Sequence, residues 1–237
     1  MLWCHQERLR GRPRGLTATR NDRPVRLVSA GGLETEILVG DGYYRLSNKD
    51  EKVPAVFLRR TAASTLYGNV LDISGTKDGY VKTVTQEGGL EAGYGLLKVE
   101  TIKGTDVCFA AYRPGNYKTG DLETDAQQAL VLTDGQAVRA MYLAGGKTLQ
   151  AGGAALERSE PGLAFVERTP LCSYIVANPS PSAATVTVTL PSLAGLEAFI
   201  LDAKGQRTGA AKVATGSAAG SFVIALTAAS KVEFVRK

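Results

Sequence analysis

Apolar and polar residues alternate in short runs along most of the chain. Glycine-bearing turns close the runs at spacings of roughly ten residues, the pattern of an antiparallel sandwich or barrel rather than of βαβ units. Segments rich in β-branched and aromatic residues predict strands over 25–29, 36–39, 55–58, 80–85, 94–101, 130–133 and 138–143. The clearest alternation is Thr185-Val186-Thr187-Val188-Thr189-Leu190, which sends Val186, Val188 and Leu190 to one face and the threonines to the other. Further strands are predicted over 173–177, 198–201, 222–226 and 231–235. Asp41-Gly42, Asp78-Gly79 and Asp134-Gly135 read as hairpin dipeptides, because tight primed turns need positive φ and glycine adopts it at little cost. Gly31-Gly32, Gly88-Gly89, Pro114-Gly115, Gly145-Gly146, Gly152-Gly153 and Pro161-Gly162 read as further turns. Only 122–130 could wind into a helix. Its polar centre offers no apolar stripe, so a single helical turn is the most expected there.

Composition divides this all-β pattern. Downstream of Thr169-Pro170 the chain becomes rich in Ala, Ser, Thr and Gly. The expected fold is a large antiparallel β-sandwich over 25–168 followed by a small immunoglobulin-like β-sandwich over 169–237, with a basic arm or the edge of a longer chain over 1–24. The chain of 237 residues is long enough for a full core, and the smaller module is expected to lean on the larger. With 44% hydrophobic and 22% charged residues the composition is that of a globular protein. No segment approaches the roughly 18 apolar residues of a membrane span, and Met1 to His5 runs into charged residues without a signal-peptide core, so a soluble chain with no membrane partner is expected.

Charge is concentrated at the start. Residues 1–26 carry seven arginines against Glu7 and Asp22, which accounts for the whole formal net charge of +5. This arm reads as a solvated leader or a cut edge. It could also hold a polyanion, although no recognition motif supports a nucleic-acid partner.

Catalytic chemistry finds few carriers. His5 is the one histidine, without metal-ligand spacing or a nucleophile elbow around it, so no metal, cofactor or catalytic residue is assigned. Cys4, Cys108 and Cys172 are an odd number without a short spacing; Cys108 and Cys172 read as small core hydrophobes, and a bridge between them is left open.

Two places carry binding chemistry. In Phe57-Leu58-Arg59-Arg60 adjacent arginines on a strand point to opposite faces, so one of Arg59 and Arg60 could present its planar fork to a carboxylate or sulfate. The loop Tyr112-Arg113-Pro114-Gly115-Asn116-Tyr117-Lys118 gathers two aromatic rings, two cations and an amide, which suits a charged glycan: rings stack on sugar faces, and polar donors meet hydroxyls and acid groups. The same residues also make sense as a plain hairpin turn whose tyrosines cover the edge of a sandwich.

The run Val53-Pro54-Ala55-Val56-Phe57-Leu58-Arg59-Arg60, followed by Ser64-Thr65-Leu66-Tyr67-Gly68-Asn69-Val70-Leu71-Asp72, resembles the C-terminal β-sandwich region of heparinase II/III-type polysaccharide lyases. The segments 95–100, 106–111 and 146–149 follow the rhythm of that region, and Leu2-Trp3-Cys4-His5 is similar to a strand carrying Trp-x-x-His or Leu-x-His there. The resemblance spans most of 1–168. It implies a non-catalytic sandwich that supports an upstream helical catalytic domain, absent from this sequence, and lines one side of an acidic-polysaccharide groove, in the periplasm or secreted. Nothing in the chain could form the toroid, and no position matches the family's catalytic set, so none is carried over. The alternatives are a free-standing carbohydrate-binding or adhesive module, a minimal lyase with Tyr117 as base beside Arg113, and a polyanion-binding arm.

Overall fold

A computed structural model describes residues 7–10, 15–20, 23–30, 35–45, 48–62, 65–76 and 78–236. The chain is all-β and sandwich-like, and among the described residues the only helical element is a 3₁₀ turn at Pro191–Leu193. Among these residues no helix is long and apolar enough to cross a membrane. The chain divides into two compact units, one of residues 1–90 with 97–102 and one of residues 91–96 with 103–237.

The first unit holds β1 (Glu7–Arg10), β2 (Gly15–Arg20), β3 (Arg23–Ser29), β4 (Glu36–Arg45), β5 (Asn48–Arg59), β6 (Asn69–Asp72), β7 (Val81–Gly89) and the later part of β8 (Tyr94–Thr101). Two small antiparallel sheets run β1-β4-β5 and β2-β3-β6. Within the expected basic arm, Glu7–Arg10 therefore pairs with β4 and Gly15–Arg20 with β3. Asp41-Gly42 is not the predicted hairpin turn. Both residues lie inside β4 opposite Pro54 and Val53, and the ladder continues until Arg45 faces Asn48. Val28, Val81, Val84 and Val99 form the unit's buried core, with Val70 and Leu97 packed against it.

Asp72 ties this core together. Its Oδ2 accepts the backbone N–H groups of Tyr80 at 2.5 Å and Val81 at 2.9 Å, and its Oδ1 accepts that of Ser74 at 3.0 Å. Burial alone would raise its pKa, but the hydrogen bonds led by Val81 and Ser74 outweigh it and hold the carboxyl below its ordinary value. Asp78-Gly79 does make a turn. Gly79 has φ +73°, and a side chain there would collide with the Arg26 guanidinium, which donates to the carbonyls of Asp78 at 2.7 Å and Val81 at 3.2 Å.

The second unit holds the first residues of β8, then β9 (Thr105–Ala111), β10 (Tyr117–Thr119), β11 (Leu122–Thr124), β12 (Gln128–Asp134), β13 (Ala137–Ala151), β14 (Ala154–Arg168), β15 (Tyr174–Asn178), β16 (Ala184–Thr189), β17 (Glu197–Leu201), β18 (Arg207–Ala210), β19 (Val213–Thr215), β20 (Ser221–Leu226) and β21 (Ser230–Val235). One layer follows the order β18-β17-β21-β15-β14-β13-β12-β9. The other is reached because β13 and β14, of 15 residues each, bend and continue: the end of β13 pairs with β11, and the start of β14 with β16, which leads to β20 and β19. The expected boundary at 168/169 falls inside this unit, where β14 pairs with β15 and β16 beyond it. The segment 122–130 is not helical; it supplies β11 and the start of β12, because its backbone finds partners in β10, β13 and β9.

The core lies between the layers. Val186, Val188 and Leu190 are buried, as their alternation requires, and pack with Leu143, Leu149, Leu156, Val166, Val176, Ile224 and Phe234. Truncating a side chain as enclosed as Phe234 to alanine costs about 3–5 kcal/mol.

The bends explain two misread turn signals. Gly145-Gly146 lies inside β13, where the register with β14 shifts, and a Cβ on Gly146 would stand 2.5 Å from the Ala126 Cα, so only glycine lets these backbones meet. Pro161-Gly162 lies inside β14, in the extra residues that bulge between Glu157 and Gly162. Arg158 holds that bulge. It is 5% exposed, its Nε donates to the Glu160 carbonyl at 3.0 Å, and its Nη1 donates to the Leu163 carbonyl and to Asn178 Oδ1 at 2.6 Å. Burial pulls its pKa below the usual guanidinium value.

Cys172 is not a core hydrophobe. It sits exposed with φ +61° in the tight turn between β14 and β15, beside Leu171 at 90% exposure, and accepts a hydrogen bond from Arg168 Nη2 at 3.3 Å. The apolar run around it is broken by the turn, which turns Leu171 and Cys172 outward. Cys108 is half-buried, and burial, helped by the neighbouring Asp106 charge, raises its thiol pKa. Both thiols are free.

Candidate functional site

The loop between β9 and β10 is built on a small aromatic cluster. Tyr117, at the start of β10, packs its ring against Tyr94 and Phe109 with centroids 5.3 and 5.4 Å away, while Tyr94 stacks on Phe109 at 5.7 Å. Its hydroxyl donates to the Arg113 carbonyl at 2.6 Å and reaches the Gly93 carbonyl at 3.3 Å. Gly93 O also accepts the backbone N–H groups of Tyr112 at 2.7 Å and Arg113 at 3.3 Å. Tyr117 therefore fixes the corner from within, and its hydroxyl is committed to the backbone.

With the corner fixed, Tyr112, Arg113 and Asn116 stand exposed on its outer side, Tyr112 at 46%. They line a cleft of about 580 Å³ whose opposite wall is the 125–128 segment with Gly145, inside the size range of small-ligand sites. Burial pushes the Tyr112 phenol above its ordinary value, so at neutral pH it is a neutral donor with an aromatic face. Arg113 has no side-chain ion pair or hydrogen bond among the described residues, whereas its fork can donate two parallel bonds to a carboxylate.

The facing wall is equally well held. The Ala111 N–H donates to the Gln127 carbonyl at 2.8 Å, and the Gln127 N–H to the Ala144 carbonyl at 3.0 Å, so both walls are anchored to the sheet. Asp125 Oδ1 accepts the N–H groups of Lys147 at 2.8 Å and Thr148 at 2.7 Å just past the β13 bend. Gln127 and Gln128 remain exposed. Sequence reasoning missed Asp125, Gln127 and Gln128, since only the pairing of β12 with β9 brings them opposite Tyr112 and Arg113.

The other sequence candidates lie elsewhere. Lys118 pairs with Glu123 at 3.0 Å and lines a different cleft, of about 430 Å³, at the β10–β11 turn. Arg59 and Arg60 belong to the first unit. Arg59, opposite Glu36 in the β4–β5 ladder, turns its Nε and Nη2 onto the Glu36 carboxylate. Arg60 donates from Nε to Thr35 Oγ1 at 2.5 Å and from Nη1 to the Leu66 carbonyl at 2.8 Å and Thr65 Oγ1 at 3.2 Å, with its guanidinium 4.9 Å from the Tyr67 ring centroid. His5 and Cys4 lie outside the described residues. Among the described residues no group of three or more His, Cys, Asp or Glu side chains is placed to hold a metal. Comparison of the sequence with protein-family models gives no match, and comparison with curated proteins gives none.

Proposed function

We propose that this chain is the non-catalytic β-sandwich portion of a polysaccharide lyase-like protein of heparinase II/III type, and that the cleft between the 112–116 loop and the 125–128 segment contacts acidic polysaccharide. In this reading an upstream helical domain carries the chemistry, the sandwich packs against it and extends its glycan surface, and the protein works in the periplasm or outside the cell. The observation that carries the binding part is the uncommitted Arg113 guanidinium beside an exposed tyrosine face and an amide in one cleft. An acidic sugar supplies what each lacks: a carboxylate for the fork, a ring face for Tyr112 and hydroxyls for Asn116.

The test is binding of the full chain to immobilised acidic oligosaccharides, with neutral glucan as the reference. Arg113→Ala is expected to weaken binding about tenfold or more, the loss of a hydrogen bond to a charged group. Binding that survives this change and disappears when residues 1–24 are deleted would move the site to the arm. Incubation with the same polymers is expected to give no unsaturated-sugar absorbance; sustained turnover abolished by Tyr117→Phe would replace this reading with that of a minimal lyase.

A free-standing carbohydrate-binding module is the second reading. It is favoured by the cleft's being lined entirely from the second unit, so that it needs no other domain to be complete.

A further inference from the structure

We infer that the cleft selects a sparsely charged glycan, one uronate flanked by neutral sugars, with Arg113 as the receptor for its carboxylate and Asp125 as the residue that rejects a second anion. This rests on the glycan-binding reading above and narrows its substrate class.

The charge of the cleft is the starting point. Among the described residues lining it, Arg113 is the one cation and Asp125 the one anion. Lys118 does not add a second positive charge, since it is paired with Glu123 and lines the other cleft. A polymer with several sulfates on each disaccharide needs several cations to replace the water and counterions it gives up, and here one is available. The remaining polar groups, Asn116, Gln127 and Gln128, are amides, which both donate and accept and therefore match hydroxyl and N-acetyl groups rather than anions. The exposed face of Tyr112 takes the apolar side of a sugar ring.

Asp125 sharpens the choice. Its Oδ1 is held by the Lys147 and Thr148 N–H groups at 2.8 and 2.7 Å, with the Thr148 hydroxyl at 3.2 Å, so the carboxylate of this wall residue is fixed to the β13 backbone. A second carboxylate on the neighbouring sugar, as in a polyuronate, would lie in the same small cleft as this fixed negative charge. Like charges brought together in a partly desolvated site repel, and Asp125 can move off only by releasing its backbone donors. An uncharged neighbour meets no such opposition and gains hydrogen bonds from the amides.

The prediction is tested with the full chain and four probes of equal length: a hyaluronan oligosaccharide, in which uronate alternates with N-acetylhexosamine, its carboxyl-reduced derivative, a polymannuronate oligomer and a heparin oligomer. Hyaluronan is expected to bind about tenfold more tightly than each of the others, and Arg113→Ala to reduce it to the level of the carboxyl-reduced probe. Asp125→Asn keeps Oδ1 as an acceptor for the two N–H groups and removes the charge. It is expected to raise polymannuronate affinity severalfold while leaving hyaluronan within about twofold, a selective gain that a merely structural aspartate would not produce. If polymannuronate or heparin binds as tightly as hyaluronan through Arg113, or if Asp125→Asn shifts all probes alike, the selectivity assigned here is wrong while the glycan-binding reading stands. If no probe binds, that reading falls and this inference with it.

Discussion

Arg60 in the first unit and Arg113 in the second both lie just past the end of a strand, β5 at Arg59 and β9 at Ala111, yet their surroundings are opposite. Arg60 is surrounded by acceptors: Thr35, Thr65 and the Leu66 carbonyl take its donors, and Tyr67 lies beside its guanidinium. Arg113 has its carbonyl and N–H tied to Tyr117 and Gly93, while its side chain meets no protein acceptor among the described residues. An arginine whose donors are occupied is architecture, and one whose backbone is fixed while its fork is empty is presented to something else. Residue type is common to both; what decides is which carbonyls and hydroxyls the topology sets within reach.

Arg158 is the extreme of the committed kind. It is buried with no carboxylate partner among the described residues, and its guanidinium satisfies two backbone carbonyls and the Asn178 amide oxygen across the β14 bulge. Arg158→Ala removes three hydrogen bonds and leaves their acceptors buried, so the second unit is expected to lose about 3 kcal/mol or more, read as a fall in the urea midpoint. A loss below about 1 kcal/mol would mean that water replaces the guanidinium in the bulge. For the half-buried Arg60 the same substitution removes bonds that solvent can partly replace, and a smaller loss of about 1–2 kcal/mol is expected from the first unit alone. Equal losses at the two sites would erase the distinction between them.

A committed polar pair also shows itself in its titration. Tyr142 on β13 donates to Glu167 Oε2 at 2.6 Å and stacks on Phe165; burial first, then the Glu167 hydrogen bond and charge, push its pKa up to about 12 from 10.0. Because the folded state holds this proton more tightly than the unfolded chain, its contribution is fully present below pH 10 and is lost as pH rises from 10 toward 12. Tyr142→Phe is therefore expected to flatten the decline of stability across that window in alkaline urea titrations. An unchanged slope would mean that Tyr142 ionises alike in both states.

The strands were legible because alternation with period two is imposed by the backbone itself, and Val186, Val188 and Leu190 needed nothing more. The bends were not. A Gly-Gly pair satisfies a hairpin and a strand bend equally well, and Gly145-Gly146 belongs to the second because the Ala126 backbone, far away in sequence, approaches it. Asp41-Gly42 and Cys172 were misread for the same reason, since local chemistry says where glycine is tolerated or a residue is apolar, not what stands opposite. In the cleft, the loop from Tyr112 to Lys118 was visible as a composition, but Asp125, Gln127 and Gln128 join it only through the β9–β12 pairing. Tyr117 drew notice as an aromatic binder, yet its ring turns inward and its hydroxyl holds the backbone.

The smallest effect on stability belongs to Arg113. Arg113→Ala is expected to change the unfolding free energy by no more than about 0.5 kcal/mol, since the variant keeps the backbone bonds to Gly93 and Tyr117 and gives up no side-chain partner. The same substitution is the one expected to lower glycan affinity most, so stability and binding part company at this residue as they do at neither Arg60 nor Arg158. Evolution toward stability alone has no use for an exposed guanidinium on a corner secured by a half-buried tyrosine. A destabilisation of 1–2 kcal/mol at Arg113, similar to that at Arg60, measured by the same urea titration, would show that its fork already has a partner inside the protein and would remove the physical reason for calling the cleft a site.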